Sequence, residues 1–274
     1  MRHLTSNKVR DASSPVRRYR LAWAVAAWLG LVLGACGSNP SVDNGVTPVQ
    51  DASPPAEDAP PPATPCRPPV GVSGSPGDVA ALVAFVNALG AERSFPLEIT
   101  CVVEALDRPL AILASRSPFS LQPAFNVQNP RFFLWSGPLV MTVVPVGDGR
   151  KLLELGQQVS ETRSIKAEIT FPLASPLSAE QPFDHLLHEG LTSCASCHGG
   201  EMPAAQVGST TAFVSDVFRP LKAQEVDLEF LRGQFATCDP RQEPDRCAMF
   251  SAIFAHGELT PRAFSDMAKT IYDN

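Results

Sequence analysis

Eleven of the chain's 27 prolines fall between Asn39 and Asp78, within a stretch that includes "SPPAEDAPPPATPCRPP" from Ser53 to Pro69. Proline fixes φ and carries no N–H. With almost no large apolar residues beside it, such a segment cannot bury enough surface to offset the entropy of ordering. Residues 36–74 therefore read as an extended tether, at about 3.1 Å per residue. Any folded body is confined to the residues that follow.

That body begins with a helix. Ser75-Pro76-Gly77-Asp78 reads as N-cap, N1 proline and acidic N3, with Gly90 as the stop. Val79, Leu82, Val83, Val86 and Leu89 mark its apolar face. From Leu97 to Phe171 the texture is that of strands: "LEITCVV", "LAILAS", "RFFLW" and "PLVMTVV" are short apolar runs broken by proline and glycine. Gly147-Asp148-Gly149 turns the chain before "KLLEL", and "SIKAEITF" alternates with Ile165, Ala167, Ile169 and Phe171 on one face. No nucleotide loop, serine elbow or carboxylate pair is visible there. From Ser178 the pattern turns helical, in "PFDHLLHEG", "VDLEFLRGQFA", "DRCAMFSAIFAHG" and "PRAFSDMAKTIY".

The first 35 residues read as a leader. Arg17, Arg18 and Arg20 precede an apolar run from Leu21 to Ala35, too short for the ~20 residues that span a bilayer, so it reads as a signal peptide. Leu33-Gly34-Ala35-Cys36 resembles a bacterial lipobox, which implies that Cys36 becomes the acylated first residue of an exported lipoprotein. Its plainer alternative is an ordinary signal peptide with an incidental cysteine. Gly37 and Ser38 do not resemble an inner-membrane retention signal, which points to the outer membrane or cell envelope, facing the periplasm or the exterior. Residues 1–35 carry six Lys/Arg and one Asp, so removing this net +5 takes the chain from −6 to −11. An acidic body argues against nucleic acid as a partner. Contact with the membrane comes through the lipid anchor instead.

The chemistry is concentrated in "HLLHEGLTSCASCHGGE", from His185 to Glu201. Cys194 and Cys197 lie two residues apart and His198 follows at once. Cys-x-x-Cys-His is the attachment motif for c-type haem, and this stretch resembles the c-type cytochrome family at the residues that define it. The resemblance implies thioethers from Cys194 and Cys197 to one haem c, with His198 as proximal iron ligand. The second ring nitrogen of such a histidine needs an acceptor, typically a backbone carbonyl. Two alternatives compete. A thioredoxin-like dithiol, activated by His198, normally stands at the end of a strand in a βαβ unit, and none precedes it here. A structural zinc site needs two further ligands, for which His185 and His188 are the candidates.

Seven cysteines make an odd total. Assigning Cys36 to lipid and Cys194 and Cys197 to haem leaves four, in two local pairs. A Cys238–Cys247 bridge closes a polar loop, and a Cys66–Cys101 bridge pins the end of the tether to the body. Chain-entropy reasoning gives about 2–3 and ~4 kcal/mol respectively.

The sixth iron ligand has four candidates. His185 and His188 lie upstream, as distal histidines do in multi-haem cytochromes, while His256 and Met249 lie downstream. Met202 is too near His198, and neither Met249 nor Met267 stands in a persuasive loop context. Methionine raises the potential, histidine lowers it relative to methionine, and an open position admits small ligands or peroxide.

The expected architecture is α+β: a small β-rich domain preceded by one helix (75–177), then an all-α cytochrome c-like domain (178–274). The expected function is that of a lipid-anchored, extracytoplasmic mono-haem c-type cytochrome passing single electrons to a redox partner protein of basic surface. The runner-up is a haem-containing sensor, or a ligand- or protein-binding lipoprotein whose β-rich domain carries the activity. A peroxidase-like enzyme is disfavoured because no acid–base pair stands out.

Overall fold

The computed structural model describes residues 64–188 and 190–273. Residues 1–35, read above as a leader, Cys36 and most of the stretch read as a tether lie outside these residues, as does the side chain of His188.

Helix α1 (Val79–Arg93) starts one residue after Asp78, whose carboxylate accepts from the Ala81 N–H at 2.7 Å. Asp78 is thus the cap, three residues later than the Ser75 reading placed it. Gly90 does not end the helix. It lies inside, where a Cβ would fall 2.2 Å from the Phe95 ring, so glycine is needed there for close packing. Helix α2 (Ile99–Glu104) occupies the "LEITCVV" segment expected as a strand. Its β-branched residues are overruled by burial against the C-terminal helices, and Cys101 within it is bridged to Cys66. The remaining strand expectations in this half are met by β1 (Leu110–Ser115), β2 (Arg131–Ser136), β3 (Leu139–Val143), β4 (Leu152–Gln158) and β5 (Arg163–Thr170).

The second half departs from expectation. Helix α3 is one turn (Gln181–Asp184), followed by a two-residue ladder of β6 (Leu187–His188) with β7 (Leu191–Thr192). A hairpin of β8 (Met202–Val207) and β9 (Thr210–Asp216) comes next, then β10 (Glu225–Val226). Helices α4 (Leu228–Ala236) and α5 (Pro244–Phe254) form as expected, the first capped by Asp227 and the second bridged at its start through Cys247 to Cys238. The segment "PRAFSDMAKTIY" is not helical: β11 (Leu259–Pro261) leads into turns.

These strands join one nine-stranded sheet in the order β10-β1-β2-β3-β4-β5-β9-β8, with β11 pairing β1 in parallel. The expected all-α cytochrome c-like domain is therefore absent, and the fold is mostly β. The physical reason lies at the sheet's edges. Strands from 202–261 supply the backbone partners that β1 and β5 would otherwise lack, through β10 and β11 on one side and β9 on the other. One face, with Ile112, Phe132, Leu134, Met141, Leu153 and Ile169, packs in a single core with residues of α1, α2 and α5. Phe250 and Phe254 meet Phe132 edge-on at 5.9 and 6.1 Å. The opposite face is where the functional residues gather.

Candidate functional site

Strand alternation puts polar residues on that opposite face. Pairing aligns Phe133, Thr142, Glu154 and Glu168 in one row across β2 to β5, and Trp135, Val140, Gly156 and Lys166 in the next. Gly156 leaves room: only Ser164 lies within 4 Å of where its Cβ would be. The segment carrying the motif folds over this floor, and Cys194, Cys197 and His198 line one cleft with Arg131, Glu154 and Lys166. Phe119 and Tyr272, an edge-on pair at 5.7 Å, also line it.

The motif forms a 3-10 turn over Ser193–Ser196 rather than an α-helix. Thr192 caps it by accepting from the Cys194 N–H at 3.2 Å, and the Cys197 and His198 N–H groups both donate to the Cys194 carbonyl, at 3.1 and 2.8 Å. Glu201 in turn holds Thr192 through its N–H and hydroxyl. The segment is fastened to the sheet by Arg163, which donates to the carbonyls of Gly200 (2.6 Å) and Val214 (3.2 Å) and to the Asp216 carboxylate (2.9 Å).

His198 is held from two sides. Its ring stacks on Phe218, with centroids 4.9 Å apart and planes 20° from parallel, and Nδ1 donates to the backbone carbonyl of Asp216 at 2.7 Å. That bond fixes the neutral tautomer, and among the described residues nothing hydrogen-bonds to the Nε2 lone pair. Burial, and next the nearby Lys166 charge, push its pKa down to about 3. Lys166 is 8% exposed, and its ammonium donates to Ser164 Oγ at 2.8 Å and to the same Asp216 carbonyl at 3.3 Å. Burial lowers its pKa to about 8, leaving it mostly protonated at neutral pH. Deeper on the floor, Arg131 pairs with Glu154 and donates to Thr142 Oγ1 at 3.0 Å, while its buried Nε has no partner. Burial, and then the neighbouring Glu154 carboxylate, raise the pKa of Glu168.

Cys194 and Cys197 are unbridged, whereas Cys66–Cys101 and Cys238–Cys247 are disulfides. Burial pushes the pKa of Cys194 up, and the Lys166 charge and a hydrogen bond with Thr192 oppose that rise in part. Among the described residues, which leave out the side chain of His188, no group of three or more His, Cys, Asp or Glu is placed to hold a metal ion.

The distal candidates are scattered. Met249 is 2% exposed within the core on the far side of the sheet. His256 Nε2 lies 3.2 Å from Glu104 Oε1, between the end of α5 and α2, and His185 is exposed at the end of α3. None of these three lines the cleft. Arg131, Glu154, Lys166, Glu168 and Asp216 escaped the sequence reading. The alternation of "SIKAEITF" was the available signal for Lys166 and Glu168, since it assigns them to the face opposite Ile165. Among the described residues no helix is long and apolar enough to cross a membrane. Compared with family models, curated proteins and solved structures, the chain matches none of them.

Proposed function

We propose that Cys194, Cys197 and His198 hold one covalently attached haem c against the polar face of the sheet, and that the protein exchanges single electrons with a partner outside the cytoplasm. One observation carries this reading: the His198 imidazole is oriented by a backbone carbonyl through Nδ1, with Nε2 unengaged among the described residues, in one cleft with two unbridged thiols. When attached, haem c supplies a one-electron iron couple. Each thiol S–H would add across one vinyl C=C, forming a thioether with no leaving group. His198 would give Nε2 to the iron, with Phe218 and the Asp216 carbonyl keeping the ring from rotating. Lys166 and the Arg131 Nε offer donors to anionic groups in the cleft.

Location follows from separate features. The lipobox-like "LGAC" and the Pro-rich tether suit a lipoprotein anchored through Cys36 and held off its membrane. The two disulfides suit an oxidising compartment. With a net charge of −11 after leader removal (−6 minus +5), a basic partner and salt-sensitive docking fit the surface.

The charged floor favours a second reading, in which the attached haem senses or binds a small ligand. Arg131, Glu154, Lys166 and Glu168 make a polar cleft of a kind that pure electron transfer does not require.

Pyridine haemochrome analysis of protein exported alongside the c-type maturation machinery tests the main reading. We expect one covalent haem per chain, lost in the Cys194→Ser/Cys197→Ser variant. A colourless protein whose two thiols are free or joined to each other would end it. A six-coordinate, low-spin spectrum indifferent to carbon monoxide supports electron transfer alone, and ready carbon monoxide binding supports the second reading.

A further inference from the structure

We infer that Lys166 is a positioning residue for the iron centre, raising its reduction potential by sharing the backbone carbonyl that orients His198. This rests on the haem reading above. The carbonyl oxygen of Asp216 accepts from His198 Nδ1 at 2.7 Å and from the Lys166 ammonium at 3.3 Å. A carbonyl that accepts from one imidazole pulls the ring toward imidazolate character, making Nε2 a stronger donor that favours oxidised iron. A second, charged donor on the same oxygen draws electron density away and weakens that pull.

Direct electrostatics act in the same direction. Lys166 is buried, its remaining hydrogen bond is to the neutral Ser164 hydroxyl, and the two carboxylates near it are each paired elsewhere, Asp216 with Arg163 at 2.9 Å and Glu154 with Arg131. A buried cation lacking its own carboxylate disfavours further positive charge nearby, and the oxidised iron carries one charge more than the reduced. Both effects stabilise the reduced state. The fold builds this arrangement deliberately: Lys166 comes from the centre of β5, and Asp216 from the end of β9, which pairs with the start of β5.

The test compares full-length, haem-loaded wild type with Lys166→Met and Lys166→Arg by potentiometric titration. Lys166→Met should lower the midpoint so that the reduced-to-oxidised ratio at a fixed poise falls about tenfold, roughly 59 mV for one electron. Lys166→Arg, which keeps a charged donor, should recover most of that loss. Lys166→Gln, a neutral donor, should fall between them, and it replaces the methionine variant if that one does not accumulate. A loaded Lys166→Met or Lys166→Gln protein with the wild-type midpoint overturns the inference. So does a Lys166→Arg midpoint as low as that of Lys166→Met, because a structural loss would not distinguish charge. Absence of covalent haem from wild type is detected by haemochrome before any potential is read, and marks failure of the earlier reading instead.

Discussion

Glu168 shows how one carboxyl on the cleft floor couples charge to stability. Its pKa is raised above the ordinary value of 4.5 by burial, and next by Glu154, so ionising it costs more in the folded protein than in the unfolded chain. Below the unfolded pKa it is protonated in both states and costs nothing. As pH rises through that value and then through the raised folded one, the native state loses stability. Glu168→Gln should therefore melt like wild type near pH 4 and at a higher temperature near pH 7.5; an offset equal at both pH values removes the argument. Residues of this kind were only half legible. The two-residue period of "SIKAEITF" separates Ile165, Ala167 and Ile169 from Ser164, Lys166 and Glu168, but such a polar set looks the same whether water or another part of the chain covers it. By contrast, Cys194, Cys197 and His198 stood out in the sequence by their spacing, and the fold brings them to one cleft. Asp216 was not, since its backbone carbonyl supplies the contact, and any residue type provides one.

At the scale of elements, a guanidinium fork ties the motif segment to the sheet. Arg163 on β5 reaches the Gly200 and Val214 carbonyls and the Asp216 carboxylate, and both partners of the ion pair are about three-quarters enclosed, at 25% and 21% side-chain exposure. Gly200 has φ +63°, and a Cβ there would lie 2.6 Å from Arg163 Nη1, so glycine lets the guanidinium approach the backbone. Hydrogen bonds to charged groups contribute about 1.5–3 kcal/mol. Arg163→Ala should cost about 2 kcal/mol in urea unfolding and, on the haem reading proposed above, lower the fraction of chains that acquire haem, whereas Arg163→Lys should recover only part of either. A change in unfolding midpoint with full haem loading would mean that the fork supports the sheet but not the motif. Element identity followed local pattern where burial agreed with it, as in α1 and β1 to β5. It failed at α2, where packing overrode β-branched composition, and at β8–β9. There "TTAFV" after Gly208-Ser209 is a β-rich run behind a turn pair, a feature that the reading of 178–274 as helical passed over.

For the molecule as a whole, the decisive difference is between two domains and one sheet. A two-domain chain would let residues 75–177 fold alone. In the observed topology that fragment keeps β1 to β5 but loses β10 and β11 from one edge and β9 from the other. It also uncovers Phe132, Leu134 and Met141, which share the core with Phe250, Ile253 and Phe254. Fully burying side chains of this size is worth about 1.5–3 kcal/mol each, while net stabilities are only about 5–15 kcal/mol. Losing a few such contacts, together with the Cys66–Cys101 bridge that starts outside the fragment, exceeds what a sheet with two bare edges can hold. The 75–177 fragment should thus show no cooperative thermal transition and poor amide dispersion by NMR, while residues 64–274 melt in one step. Residues 178–274 alone should behave likewise, because β8 and β9 have no β5 to extend and α5 has no sheet to cover. A fragment of either half that melts cooperatively would restore an independent domain and detach the motif from the floor beneath it. The long-range pairing responsible, β5 with β9 and β1 with β11, links segments about 50 to 150 residues apart, and local periodicity carries no record of such partners.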